Sequence, residues 1–346
     1  MARRILWASL GLAPLTILLH FGFQLGETTD FVLAAVSLIP LAWLIGEATE
    51  HAAHHTGPGV GGFLNATFGN APELIIALFA VADGLTEVVR GSLTGSVVGN
   101  LLLVLGFSLL FGGRGELDRQ STFVSLGLVA GATALLLIPS VAGWEGDPER
   151  RSLAQLSIFP SVALLVVYLG VTWASLRRHR LLHVSDEPEE MHAWSLAASL
   201  GVLGVATVVT ALIAEILVGS IDAFSEKANL SEFFVAAVIV AIVGNAAEHG
   251  GAVVVAARGK IKLAAEIALA SSAQVAVFLI PAVALISWLI EPLALSFRPV
   301  EIGVLAASVI ASAALLADGR SSRLKGVLLI LAYVVAAVAF FLSGDR

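Results

Sequence analysis

The sequence predicts an all-α polytopic membrane protein of about 11 transmembrane helices, one N-terminal helix followed by two inverted five-helix repeats. Three observations predict it. The 346-residue chain is 58% hydrophobic and only 13% charged, with a mean hydropathy of +0.94, too little polar surface for a water-soluble domain of that length. Apolar runs of about 20 residues, the length that crosses a hydrocarbon core of about 30 Å, recur from end to end. The strings Gly-Asn-Ala-Pro-Glu at 69–73 and Gly-Asn-Ala-Ala-Glu at 244–248 repeat 175 positions apart, each inside such a run.

The runs fall at about 5–23, 31–52, 63–82, 91–112, 121–142, 153–175, 194–217, 233–256, 264–290, 299–317 and 324–343, joined by short polar connections carrying Gly, Pro or charge. The first follows Met-Ala-Arg-Arg and has the look of a signal peptide, but no Ala-x-Ala cleavage pattern follows it, so it reads as a first span within residues 1–25. Spans 2–6 make a first repeat over 31–176, and spans 7–11 a second over 194–344. The third and eighth spans carry the repeated string. Between the halves lies a linker, 177–193, holding Asp186, Glu187, Glu189 and Glu190. The N-terminus and every second connection carry 13 Lys and Arg against 6 on the other side. The first side, with the N-terminus and the acidic linker, is therefore expected to be cytoplasmic and the C-terminus outside. Five spans per half is an odd number, so the second half enters the membrane from the opposite side.

The absence of cysteine excludes disulfides and thiolate metal sites. The net charge of −7 sits in loops, and no basic stretch fits nucleic acid. The ungapped 175-residue offset pairs Gly69, Asn70, Ala71 and Glu73 with Gly244, Asn245, Ala246 and Glu248. It also pairs Ser96 with Ser271 and Gly99 with Gln274, while Asn100 falls opposite Val275. At 1.5 Å per residue, Glu73 lies roughly 15 Å and Glu248 roughly 20 Å into their spans from opposite faces, both near the midplane. Carboxylates at that depth are costly and mark functional sites. Asn70/Glu73 and Asn245/Glu248 are i,i+3 pairs, so each shares a helix face. Gly69, Gly244 and Pro72 weaken the local helix and free backbone carbonyls.

Two carboxylates, two amide oxygens and freed carbonyls make a hard all-oxygen site suited to calcium. When the cation leaves, two close carboxylates repel and lose solvation, so protons take its place. One site then serves both ions by competition. The bland alternative is that each glutamate is a hydrogen-bonding bridge between helices. Glu50 and Glu215, near the ends of spans 2 and 7, read either as entrance acids or as interfacial residues reaching for water. Ser96, Ser271 and Gln274 line the site or bridge helices. His249 either tunes Glu248 or is an ordinary core histidine. The acidic linker attracts or senses cations, or is a solvated turn.

A competing constellation is His51-Ala-Ala-His54-His55, with His179 and His183 further on. Di-iron membrane desaturases and hydroxylases carry such boxes, but need about eight histidines in three clusters, and His20, His192 and His249 form no third. The bland reading is a solvated surface loop, with a pH-sensing mouth between the two.

The paired strings, Ser-x-x-Gly-Asn-Leu-Leu-Leu-Val-Leu-Gly at 96–106, and Ser-Ser-Ala-Gln-Val-Ala at 271–276 resemble the motifs of the calcium/proton exchangers (CAX) of the cation/calcium exchanger superfamily. The resemblance implies an eleven-span antiporter of sodium/calcium-exchanger-like fold, not an enzyme. It implies Glu73 and Glu248 as calcium- and proton-exchanging groups, Asn70 and Asn245 as co-ligands, and roles for His249 and Gln274. No cofactor is implied; calcium is the cargo, and the partners are Ca2+, H+ and the bilayer. A sodium/calcium exchanger of the same fold is the alternative, although asparagine in both copies favours proton coupling. The short loops and simple N-terminus point to a prokaryotic plasma membrane.

Overall fold

The computed structural model describes residues 2–23, 26–182 and 194–345. The acidic stretch Asp186, Glu187, Glu189 and Glu190, with His183 and His192, lies outside the described residues. Side chains 247–249 are also outside the description, so Glu248 and His249 are placed by backbone alone.

Helices α1 (Ala2–Ser9) and α2 (Leu12–Phe23) form the first span. Most of its side chains face outward, and Thr16 fixes it to α3 through its hydroxyl, 2.9 Å from that of Ser37. Helix α3 (Glu27–Phe68) is 42 residues long. A straight helix of that length would run about 63 Å, twice the hydrocarbon core. It is not straight. A Cβ on Gly61 would lie 2.9 Å from the carbonyl oxygen of Ala53, eight residues earlier, a separation of about 12 Å in a straight helix. The chain therefore bends back on itself between Ala53 and Gly61.

Helix α4 (Ala71–Ala82) starts after an interruption at Gly69-Asn70. Then come α5 (Thr86–Gly112), α6 (Arg119–Gly143), α7 (Arg151–Leu182) and α8 (Leu196–Gly219). Helix α9 (Ile221–Ala228) meets α10 (Glu232–Gly244) at 108°. Asn245 separates α10 from α11 (Ala246–Ala257), and α12 (Ile261–Leu289), α13 (Pro299–Leu316) and α14 (Arg323–Ser343) follow. Among the described residues nine helices are long and apolar enough to cross a membrane, ten if α9 and α10 count as one span. The expected eleven is not reached because the third and eighth expected spans are broken at the repeated motif. Neither α4 nor α11 is long enough alone.

The repeat is legible in the backbone. Helix α4 covers 71–82 and α11 covers 246–257, the same bounds after the 175-residue shift. Helices α5 and α12 widen into π-helical turns at corresponding places, Gly99–Val104 and Val275–Leu279. Ser272 donates its hydroxyl to the Val97 carbonyl at 2.9 Å. These two positions are equivalent in the halves, so their contact marks where the pseudo-two-fold axis passes between α5 and α12.

The connections sort to two ends. At one end, β1 (Gly115–Glu116) pairs antiparallel with β2 (Arg320–Ser321), and Leu117 N donates to Gly319 O at 2.8 Å. There Asp118 caps α6 by accepting from Ser121 N at 3.0 Å and stands 3.3 Å from Lys262. That capping bond and Lys262 hold its carboxyl below the ordinary range. At the other end, Trp144 Nε1 donates to Phe297 O at 2.9 Å, and Phe233 N to Asp345 at 2.9 Å. Exposed Phe159, Val166, Val205, Val335 and Leu342 give the outer wall its apolar surface between the ends.

Gly91 and Gly95, one turn apart on α5, let that helix press backbone to backbone against α10. A Cβ on Gly91 would lie 2.9 Å from Phe233 O, and one on Gly95 would collide with the Ala237 carbonyl. Gly95→Ala is therefore expected to destabilise the protein by about 1–3 kcal/mol through overpacking. Gly131→Ala, on α6 with nothing within 4 Å, should be neutral or slightly stabilising. Melting of the two variants in detergent measures the difference; an equal effect would remove the backbone contact as the reason for the glycine.

Candidate ion-binding site

The two interruptions meet in the middle of the bundle. Asn70 and Asn245 occupy the N-cap positions of α4 and α11, with φ, ψ of −100°, 15° and −87°, 5°. Asparagine suits an N-cap, but neither side chain makes the capping bond. Both turn across to the other half instead. Asn245 Nδ2 donates to Ser96 Oγ at 2.8 Å, and its Oδ1 accepts from Asn100 Nδ2 at 3.3 Å. Asn100 Nδ2 also reaches Ser271 Oγ at 3.0 Å. Asn70 Nδ2 stands 3.5 Å from Gln274 Oε1. Asn70, Ser96, Asn100, Asn245 and Ser271 are all buried, so these amides and hydroxyls partner one another where water cannot; Asn100 Oδ1 alone of the Asn100 amide atoms has no partner among the described residues.

Glu73 lies in the first turn of α4, and its side chain is buried. It packs on the second motif: a Cβ on Gly244 would fall 3.3 Å from Glu73 Cγ, 3.5 Å from Cδ and 3.7 Å from Oε1. Gly244 is thus the glycine that lets the Glu73 carboxyl approach the backbone just before Asn245. The backbone of Glu248 occupies the matching first turn of α11. Each glutamate is nine residues from the far end of its half-helix, about 14 Å, so both lie near mid-depth. The positive N-terminal ends of two oppositely running half-helices point at this centre.

The structure thus gathers Asn70, Glu73, Ser96, Asn245, Ser271 and Gln274 from the expected set, and the backbone of Glu248. It leaves out Glu50 and Glu215. Both side chains are exposed, on α3 and α8, and neither joins the central network. The histidine box also goes elsewhere. His51 stacks on Trp194 at 4.5 Å with Nε2 3.6 Å from Glu47, and His55 Nε2 is 2.7 Å from Trp194 O. These rings tie α3 to the start of α8. Among the described residues no group of three or more His, Asp or Glu stands close enough to hold a metal.

Two features escape the sequence reading. Asn100 joins both halves at the site although its repeat partner is Val275; its signal was a lone amide after Gly99 in an apolar run. A buried ion network at one end, around Arg90 and Arg298, has no counterpart in the repeat at all.

A family model described as sodium/calcium exchanger protein matches residues 29–177 and 198–342. The Ca(2+)/H(+) antiporter of Synechocystis sp. is 36% identical over 95% of this chain and 94% of its own length. The Ca(2+)/H(+) antiporter ChaA of Bacillus subtilis is 39% identical over 90% and 92%. A solved structure titled native YfkE superposes with a TM-score of 0.84 at 35% identity, covering 98% of this chain and 99% of that one. The chain belongs to the sodium/calcium exchanger protein family and has its helical membrane fold.

If the central groups bind a divalent cation, calcium at a hundredfold excess over its dissociation constant will stabilise the folded protein by about 2.7 kcal/mol. The rise in melting temperature should vanish in Glu73→Gln and Asn245→Ala and persist in Glu50→Gln and Glu215→Gln. A shift that survives Glu73→Gln would move the site elsewhere.

Proposed function

We propose that this integral membrane protein is a secondary-active Ca2+/H+ antiporter, in which calcium and protons compete for one central site made by both halves. The observation that carries the reading is the packing of the Glu73 carboxyl against Gly244, which brings the two copies of the repeated motif together in the buried centre. Relatives of matching length named Ca(2+)/H(+) antiporter support the choice of ions.

In this reading Glu73 and Glu248 are the charged ligands, and Asn70 and Asn245 supply amide oxygens. An all-oxygen set with two negative charges suits calcium. Emptied of the cation, two carboxylates in a low-dielectric centre are held best with protons on them, so each ion displaces the other. Ser96, Asn100, Ser271 and Gln274 keep the two asparagines oriented. His249 stands next to Glu248 in sequence and is assigned to tuning it. Access alternates between the two membrane faces around the fixed centre.

The division into an N-terminal helix, repeats over 31–176 and 194–344 and a linker over 177–193 belongs to the same proposal. So does the orientation with the N-terminus and linker cytoplasmic, from the Lys and Arg bias. Calcium then leaves the cytoplasm of a prokaryotic cell as protons enter. Asp186, Glu187, Glu189 and Glu190 are assigned to drawing the cation to that face.

The test is calcium uptake into proteoliposomes under an imposed pH gradient, without sodium. Wild type should accumulate calcium, and Glu73→Gln and Glu248→Gln should each lose uptake at least about a hundredfold, since glutamine keeps the shape but neither ionises nor carries a proton. Uptake that requires sodium would replace the coupling ion. Normal transport by both variants would end the two-glutamate site.

A further inference from the structure

Five charged side chains meet at the end of the bundle where α5 begins. Arg90 of α5 is only 1% exposed. Its Nη2 donates to Glu87 Oε1 at 2.6 Å and its Nη1 to Glu149 Oε1 at 2.5 Å, with Nη1 also 3.5 Å from Ala294 O. Arg298, just before α13, donates its backbone N to Glu301 Oε2 at 2.7 Å. Its Nε is 3.4 Å from the same oxygen, and its Nη1 donates to Gly344 O at 2.6 Å. Its Nη2 lies 3.7 Å from Glu87, and its guanidinium sits 3.8 Å over the Phe233 ring. Glu301 is wholly buried, and its Oε1 accepts the Thr94 hydroxyl at 3.3 Å.

The elements joined are informative. Glu87, Arg90 and Thr94 lie on α5, and Glu149 on the connection from α6 to α7, all in the first half. Arg298, Glu301, Gly344 and Phe233 belong to the second. Burying Arg90, Arg298 and Glu301, with Glu87 and Glu149 partly exposed, is a poor route to stability alone, because apolar residues of similar volume commonly do as well. What ion pairs add is direction: each fixes distance and rotation together. Six residues beyond Thr94, about 9 Å along α5, Asn100 reaches Asn245 and Ser271. Ser96 lies on the same stretch. A turn of α5 by one residue position swings those side chains by about 100° and breaks both contacts.

We infer that Arg90, Thr94, Arg298 and Glu301 are positioning residues: a clamp between the halves that sets the rotation and height of α5, so that Ser96 and Asn100 hold Asn245 in the ion site. The role rests on the proposed function for what the site binds, but not for the placement of α5.

The experiment uses reconstituted full-length protein with Thr94→Val, Arg298→Gln and the pair Arg298→Gln/Glu301→Gln. Two quantities are read: the calcium concentration giving half-maximal uptake against the maximal rate, and amide hydrogen exchange over residues 95–101. The two single variants should raise the half-saturating calcium concentration roughly three- to tenfold and speed exchange in that stretch. The double variant leaves no uncompensated buried charge and should recover at least about half of the Arg298→Gln shift. A purely structural cluster would lower yield, melting temperature or maximal rate, with half-saturation and exchange at 95–101 unchanged; that result overturns the clamp. Thr94→Val, which removes one hydroxyl and keeps the shape, decides the matter if Arg298→Gln does not fold. If wild type takes up no calcium, the antiporter reading falls, and the exchange data alone uphold or refute the placement of α5.

Discussion

A helix interrupted within hydrocarbon exposes backbone groups that lipid cannot satisfy, and the rest of this structure follows from that constraint. Two spans are interrupted, at Asn70 and at Asn245. The ordinary remedy would be local, with each asparagine capping its own half-helix. Here the cap side chains reach across the pseudo-symmetry axis, and groups from the opposite half hold them in turn. Each break is tolerable only because the other half is present. The site is therefore a property of the assembled pair. The close approach of α5 to α10 at Gly91 and Gly95 brings the Asn245 side chain within reach of Ser96.

Polar groups inside the bundle come in two kinds, and their separation is informative. Around the centre, beside the Glu73 carboxyl, they are amides and hydroxyls, neutral whatever occupies the site. At the end of α5 they are full charges with fixed partners. A site that exchanges a divalent cation for protons changes its own charge, and neutral neighbours tolerate that change by small reorientation. A guanidinium beside the exchanging carboxylates would bind them and exclude the cation. Arg90 sits instead about two turns from Ser96 along α5, and Arg298 at the same end before α13, where they act on geometry without competing for the ligand.

Much of this was legible in the sequence, because the strongest signals are those of the membrane. Apolar run length gave most spans, and the shared Gly-Asn-Ala-x-Glu string gave the repeat, its offset and the central residues. What stayed hidden depends on three-dimensional partners. The bend of α3 between Ala53 and Gly61 joins the second expected span to the first part of the third in one helix, since hydropathy does not see bends. Glu50 and Glu215 match each other in sequence, yet both are exposed and stand outside the central network, because a shared position relative to a helix end says nothing of rotation. Asn100 has no twin at Val275, although a contact across the axis needs none. Arg90 and Arg298 read as ordinary loop charges, and only folding shows that Glu87, Glu149 and Glu301 converge on them.

An inverted repeat of identical halves would have two related end states of equal energy, one open to each face. This chain departs from that in a particular place. In the 175-residue register Glu87 and Arg90 fall opposite Lys262 and Ala265, while Arg298 and Glu301 fall opposite Phe123 and Leu126. Among the described residues this ion network therefore exists at one end only. The other end is held by the short β1–β2 pairing and by partly exposed pairs, Lys262 with Asp118 and Lys325 with Asp318. Exposed pairs contribute little, whereas removing one partner of a buried pair is strongly destabilising. Separating the helices at the α5 end means breaking the stronger set, and at the opposite end the weaker. The two end states cannot be equal in energy, and the difference is written in the residues where the repeat fails.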